Sequence, residues 1–286
     1  MGIRSSLGRS GMKLVKAFRG RDAGEITGIK QKAQLNFEAT GGNVFNPGDG
    51  FKYHVFEPGT SDNFVVVYGS NIMSVAVQGG GGAGQGGDPG PDNRSGGGGG
   101  DGGATVVVTQ PIAPGSYTVT VGDGATTPGS PTTGDSSTFV TPLGTITANG
   151  GGAGGQGPQG GGTGTVPYSP NPTVTVDYNL TGNDGVSKNT GPTPNTYHGQ
   201  PGGGSGGSPP TYNPTWWKPY LGPGTGAPKH THGSNNPDGV FKGITGNNYG
   251  GGGSGGSGSA GSPTSNQGAP GGNGAPGRIV VRYSQP

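Results

Sequence analysis

The chain has 286 residues, among them 72 glycines, 27 prolines and no cysteine, with a net charge of +2 and a hydrophobic share of only 26%. Glycine and proline together make up about a third of it, far above the roughly 12% of ordinary globular proteins, so a side-chain core must be small and confined to a few segments. Without cysteine there are no disulfides, thiolate nucleophiles or common zinc clusters; no apolar run long enough to span a bilayer and no apolar leader is visible, so neither membrane insertion nor signal-directed export is expected.

Residues 1–36 read as a basic docking arm. Arg4, Arg9, Lys13, Lys16, Arg19, Arg21, Lys30 and Lys32 stand against only Asp22 and Glu25, which leaves the rest of the chain acidic. Phe18 is the single aromatic residue among these charges, too little for stacking on bases, so the arm points to an acidic protein surface rather than nucleic acid. Leu7, Leu14, Val15 and Phe18 fall near helical spacing, but Gly8, Gly11 and Gly20 interrupt it, and a short helix at most is expected.

Residues 37–149 read as a β-rich base containing the first glycine run. β-branched and aromatic residues alternate with polar ones over Lys52 to Phe56, Asn63 to Tyr68 and Asn71 to Gln78, with a turn at Asn46-Pro47-Gly48-Asp49-Gly50. Further strands are predicted at Ala104 to Gln110, Ser116 to Val121, Ser137 to Thr141 paired with Gly144 to Asn149, and Thr173 to Tyr178. Arg278 to Tyr283 closes the chain with Ile279, Val280, Val281 and Tyr283, and returns to the same sheet, since alone it would expose an unpaired edge.

Residues 150–286 read as a glycine-rich lattice with long exposed loops and that closing strand. Glycine runs occupy Gly79 to Gly103, Gly150 to Gly164, Gly199 to Gly207 and Gly250 to Gly277, with local spacing of three at Gly151, Gly154, Gly157 and Gly160 and at Gly268, Gly271, Gly274 and Gly277. Glycine loses more conformational entropy on ordering than any other residue, so an ordered run needs compensating backbone bonds. Helices of the polyproline II type, three residues per turn, offer them when side chains are absent. The fold class expected is all-β plus packed polyproline or polyglycine II helices on a β-sandwich-like base.

Four groups of side chains carry potential chemistry. Tyr212, Trp216, Trp217 and Tyr220 form the densest aromatic patch, suited either to recognition of a sugar or protein surface or to capping a small core. His230 and His232 form an H-x-H pair that three chains around an axis could turn into a structural metal site; in a solvated loop it binds nothing. Asp88, Asp92, Asn93 and Asp101 could offer oxygens to calcium, yet the same residues favour turns. His54 and His198 complete the histidines, and none stands in a Ser-His-Asp context. With so many glycines a G-x-G-x-x-G match means nothing without a following helix, and the chain is read as non-enzymatic, with no cofactor.

Several pieces in series resemble a known family: Ile72-Met73-Ser74-Val75-Ala76-Val77-Gln78 leading into Gly79 to Gly82, Gly115-Ser116-Tyr117-Thr118-Val119-Thr120-Val121-Gly122, Ser136-Ser137-Thr138-Phe139, Ile146-Thr147-Ala148-Asn149 leading into Gly150 to Gly152, and Gly277-Arg278-Ile279-Val280-Val281-Arg282-Tyr283. Over about residues 40–286 they resemble the glycine-rich domain of bacteriophage tail and virion proteins. The alternation of glycine runs with variable loops is similar in organisation to the fibre-tip adhesins of T-even-like phages, whose polyglycine II helices carry receptor-binding loops. The resemblance implies a virion protein made in the host cytoplasm, homo-oligomeric in the particle, docked on other virion proteins through its arm and presenting loops to a host glycan or protein. A purely structural decoration of capsid or neck is the alternative.

Overall fold

The computed structural model of the chain describes residues 37–58, 63–86, 98–126, 132–155, 164–165, 173–182, 216–221, 250 and 271–285. In chain order these hold β1 (Glu38–Thr40), β2 (Asn43–Phe45), β3 (Phe51–Phe56), β4 (Phe64–Tyr68), β5 (Asn71–Gln78), β6 (Thr105–Ile112), β7 (Gly115–Tyr117), β8 (Val119–Thr120), β9 (Ser137–Thr141), β10 (Gly144–Ala148), β11 (Gly164–Thr165), β12 (Thr175–Leu180), the one-turn helix α1 (Lys218–Leu221) and β13 (Arg278–Ser284). The regular structure among the described residues is thus strands in antiparallel sheets with almost no helix, as the alternation predicted.

The strands form three antiparallel sheets, ordered β1-β4-β7, β11-β10-β9-β8 and β12-β6-β5-β13-β3-β2. The closing strand β13 does return to the base, and it enters the middle of the largest sheet: Val280 lies opposite Ala76 of β5 on one side and Val55 of β3 on the other. Period-two alternation decides which face each residue serves. Ile279, Val281 and Tyr283 join Phe56, Met73, Val75, Val77, Val106 and Val108 in one buried cluster with Phe64, Val66, Tyr117, Phe139 and Ile146 from the two smaller sheets. Each such side chain, fully buried, contributes about 1.5–3 kcal/mol.

The segment predicted as one strand from Ser116 to Val121 is two. β7 pairs with β4 and β8 pairs with β9, and between them the Thr118 carbonyl accepts the Val140 N–H at 2.9 Å, so the chain changes sheets at that residue. β1, β2 and β11 add short pairings that no alternating run announces.

Where the strands end, non-strand segments begin, most of them rich in glycine. β5 continues into 79–86, β6 is preceded by 98–104, β8 continues into 121–126, β9 is preceded by 132–136, β10 continues into 149–155 and β13 is preceded by 271–277. Seven consecutive amides, from Gly79 to Gln85, all donate to backbone carbonyls of other segments. Gly79, Gly82 and Gln85 donate to Ala104, Asp101 and Gly98; Gly80 and Ala83 to Asp135 and Thr132; Gly81 and Gly84 to Ala275 and Gly272, at 2.8–3.1 Å. Each neighbour therefore receives every third amide, whereas a strand would alternate between two sides. On the acceptor side, the carbonyls of Gly80 and Ala83 take the amides of Gly151 and Gly154, again three residues apart.

Glycine is required here for space. A Cβ on Gly82 would stand 1.8 Å from the Gly152 oxygen, one on Gly274 1.9 Å from Gly81 O, and one on Gly154 2.4 Å from Gly98 O. None of these three has a φ in the left-handed region. Gly48 and Gly50, in the β2–β3 turn, are the opposite case: φ of 83° and 85°, with nothing within 4 Å of a built Cβ.

Candidate functional site

The second face of the six-stranded sheet carries the aromatic patch. Tyr53 and Val55 of β3, Ala76 of β5, Val107 of β6 and Val280 of β13 pack against Trp217 and Leu221, with Phe51, Tyr178, Leu180, Trp216 and Tyr220 around them. The segment 216–221 holds itself in one helical turn, the amides of Tyr220 and Leu221 both bonding to the Trp217 carbonyl. Turned this way, Trp217 points into the sheet at 1% exposure while Trp216 and Tyr220 remain half-buried at its rim. Arg278 fastens the turn from below: its guanidinium donates to the Tyr220 carbonyl and to the Glu57 carboxylate.

Around the rim the rings pack against one another over the buried Tyr53. Tyr53 lies 4.7 Å from Tyr220 and 6.2 Å from Trp216, and Phe45 of the edge strand β2 lies 5.8 Å from Tyr220. The Arg282 guanidinium is held between two rings, 4.5 Å from the centroid of Phe51 and 4.2 Å from that of Trp216. Such a cation over ring faces is an electrostatic attraction that strengthens as water is excluded. Burial lowers the basicity of Arg282, which the neighbouring Tyr53 and Asp49 oppose.

Asp49 supplies a carboxylate at this rim that a ring hydroxyl touches. The Tyr53 O–H donates to it at 2.6 Å and the Phe51 N–H at 3.0 Å, and the Tyr53 bond holds its pKa below the usual carboxylate range. Tyr53 is pushed up to about 12, first by burial and then by that bond. Phe45 is 46% exposed and Asp49 is exposed, so the same rim offers solvent an apolar ring and a carboxylate. Chemically that combination can stack against a flat apolar face and accept from hydroxyl or amide donors.

Of the aromatic residues singled out from sequence, the structure brings Trp216, Trp217 and Tyr220 together; Tyr212 lies outside the described residues. Sequence reasoning missed Phe45, Phe51, Tyr53 and Arg282, which lie far from residues 216–221 in sequence, near the two ends of the chain, and carry no local signal beyond strand alternation. His230, His232, Asp88, Asp92, Asn93 and the arm residues Arg4, Arg9, Lys13, Lys16, Arg19 and Arg21 also lie outside the described residues. Asp101 sits buried in the glycine segments, its amide donating to Gly152 and its carbonyl accepting from Gly82. Among the described residues no three His, Cys, Asp or Glu side chains converge as a metal site, and no helix is long and apolar enough to cross a membrane.

Antiparallel sheets whose strands run on into glycine segments bonded backbone to backbone define a glycine-scaffolded β protein. The chain belongs to the family described as glycine-rich domain, which matches residues 56–284 and so spans both the sheets and the glycine segments. A search of the curated proteins returned no match.

Proposed function

We propose that the chain is a non-enzymatic structural protein of a bacteriophage particle, a tail fibre or adhesin component that contributes to host attachment. The observation that carries the structural part is the run of seven amides from Gly79 to Gln85 serving three neighbours in rotation. That is the pattern of three-residue helices of the polyproline II type, here bundled as polyglycine II. On this reading the sheets stack as a β-sandwich that closes one end of the bundle. A backbone lattice with no room for side chains is suited to rigidity, and rigidity is what recognition loops need from a scaffold.

Attachment is assigned to the aromatic rim. Trp216, Tyr220 and Phe45 offer partly exposed rings on a fixed platform, the kind of residue that dominates binding energy at interfaces. The virion assignment itself rests on the ordered series of motifs resembling phage glycine-rich domains, and the basic arm at residues 1–36 is given the role of docking on other virion proteins. Capsid or neck decoration is the second reading, and the burial of Trp217 and Leu221 favours it, since these residues serve packing.

Particles carrying Trp216→Ala with Tyr220→Ala test the two together. Attachment through the rim predicts adsorption weakened by about 30-fold or more, the equivalent of a 2 kcal/mol anchor. Normal adsorption by particles that incorporate the altered protein would leave only the decoration role. Particles that assemble at normal levels without residues 1–36 would remove the docking role of the arm.

A further inference from the structure

A buried chain of polar groups runs from β3 to the β1 end of the described residues. His54 on β3 is fully buried, with Nδ1 2.7 Å from the Gly41 carbonyl and Nε2 3.1 Å from the Tyr283 hydroxyl. A carbonyl only accepts, so Nδ1 carries the proton and Nε2 of the neutral ring must accept from Tyr283. The Tyr283 oxygen in turn bonds the backbone of Ala39, an interaction that lowers a phenol's pKa and is therefore donated by the Ala39 amide. The sequence of bonds is Ala39 N–H to Tyr283 O–H to His54, and His54 N–H to Gly41 O. Both ends lie in the first strand and the turn after it.

That turn has few other ways to sit. Gly41 and Gly42 have φ of 109° and 60°, and a Cβ on Gly41 would stand 2.2 Å from the Asn63 oxygen. β1 itself is three residues long and, among the described residues, pairs with β4 alone, and Phe37 packs edge-on against Tyr283 at 4.5 Å. The polar chain thus ties β1 and the Gly41–Gly42 turn to the two strands β3 and β13.

We infer that His54 and Tyr283 form an acid-sensitive latch that holds β1 and the Gly41–Gly42 turn to the body at neutral pH and releases them when the imidazole takes a second proton. A proton on Nε2 makes both ring nitrogens donors. Tyr283 must then accept from His54 as well as from Ala39, which leaves its own O–H without the acceptor it had. The Gly41 carbonyl favours the new charge, but burial outweighs it. Lys52, on the same strand, is a like charge; Phe64 of β4 meets the ring edge-on at 5.1 Å, and Val44 of β2 stands opposite. Glu38 of β1 is the nearby carboxylate, but it acts on Tyr283 and Tyr68 rather than on the imidazole. Burial is the largest influence on His54 and holds its pKa below the usual histidine value. The neutral form is therefore favoured in the closed state, and closure weakens as pH falls below about 6.5, the value of an open histidine.

Amide hydrogen exchange on the full chain, corrected for intrinsic rates, tests this between pH 7.5 and 5. The opening equilibrium of β1 and β2 amides should rise by up to about tenfold per pH unit below 6.5, and these amides should open at least ten times more often than those of β5 at pH 5. His54→Gln should abolish that dependence. Tyr283→Phe, which removes the donor to the neutral ring, should shift it to higher pH, and this variant carries the test if His54→Gln does not fold. The latch is overturned if β1 and β2 amides stay as protected as those of β5 at pH 5, if His54→Gln keeps the same dependence, or if Tyr283→Phe leaves its midpoint unmoved.

Discussion

The sheets and the glycine segments solve the same problem with opposite materials. In the sheets, Val75, Val77, Phe64, Phe139 and Ile279 exclude water with side chains, and the backbone pairs only with its two neighbours in plane. In the segment 79–86 that continues β5 there are almost no side chains, and the backbone itself fills the space, with each amide of 79–85 turned to the next of three partners. A sheet tolerates a change of one methylene at about a kilocalorie per mole. A stack whose Cβ positions are occupied by carbonyl oxygens tolerates none, because the atom that would be displaced belongs to another backbone.

The difference can be broken most sharply at Gly82. Gly82→Val places branched carbons where the Gly152 oxygen already stands, 1.8 Å from an ideal Cβ, and should leave no cooperatively folded protein in urea or thermal denaturation. Next in size is Trp217→Ala on the sheet side, which empties a fully buried site and should cost about 3–5 kcal/mol by urea unfolding without preventing folding.

Alkaline pH separates the regions without mutation, because the strongly perturbed phenols lie in the sheets. Tyr53 and Tyr283 are pushed up to about 12, chiefly by burial, from an ordinary value near 10. Folding therefore favours their protonated forms: this stabilisation is complete below pH 10 and is lost as pH rises from 10 through 12. Melting temperature should fall across that window, and Tyr283→Phe should flatten part of the fall. The smallest effect belongs to Gly48→Ala, in open space at a φ of 83°, where only the left-handed backbone is penalised, about 1–2 kcal/mol. If Gly48→Ala and Gly82→Ala proved equally mild, glycine in the segments would not be there for close approach.

What the sequence disclosed follows the same division. β3, β4, β5, β6, β9, β10, β12 and β13 were legible because alternation of Val, Ile, Phe and Tyr survives in them, and the return of Arg278 to Tyr283 followed from the cost of a lone edge. β1 and β2 were not, since Glu38-Ala39-Thr40 and Asn43-Val44-Phe45 are too short to show a period and are specified by their partners. α1 was hidden in Lys218-Pro219-Tyr220-Leu221, where proline is tolerated because it falls in the first turn. The aromatic segment stood out by density alone, but its platform of Phe51, Tyr53 and Arg282 is distant in sequence and appears only when β13 enters the sheet beside β3. His54 carried no motif; its partners Gly41 and Tyr283 are 13 and 229 residues away.

Native-state hydrogen exchange of the glycine amides from 80 to 84 tests the central claim most directly. If these segments are a bonded interior, their amides should be protected about as strongly as those of Val75, Ala76 and Val77 in the strand they continue, and should exchange only with global unfolding. Exchange at the rate of an open chain while the strand amides remain protected would show that the backbone stack is not what holds this part of the protein together.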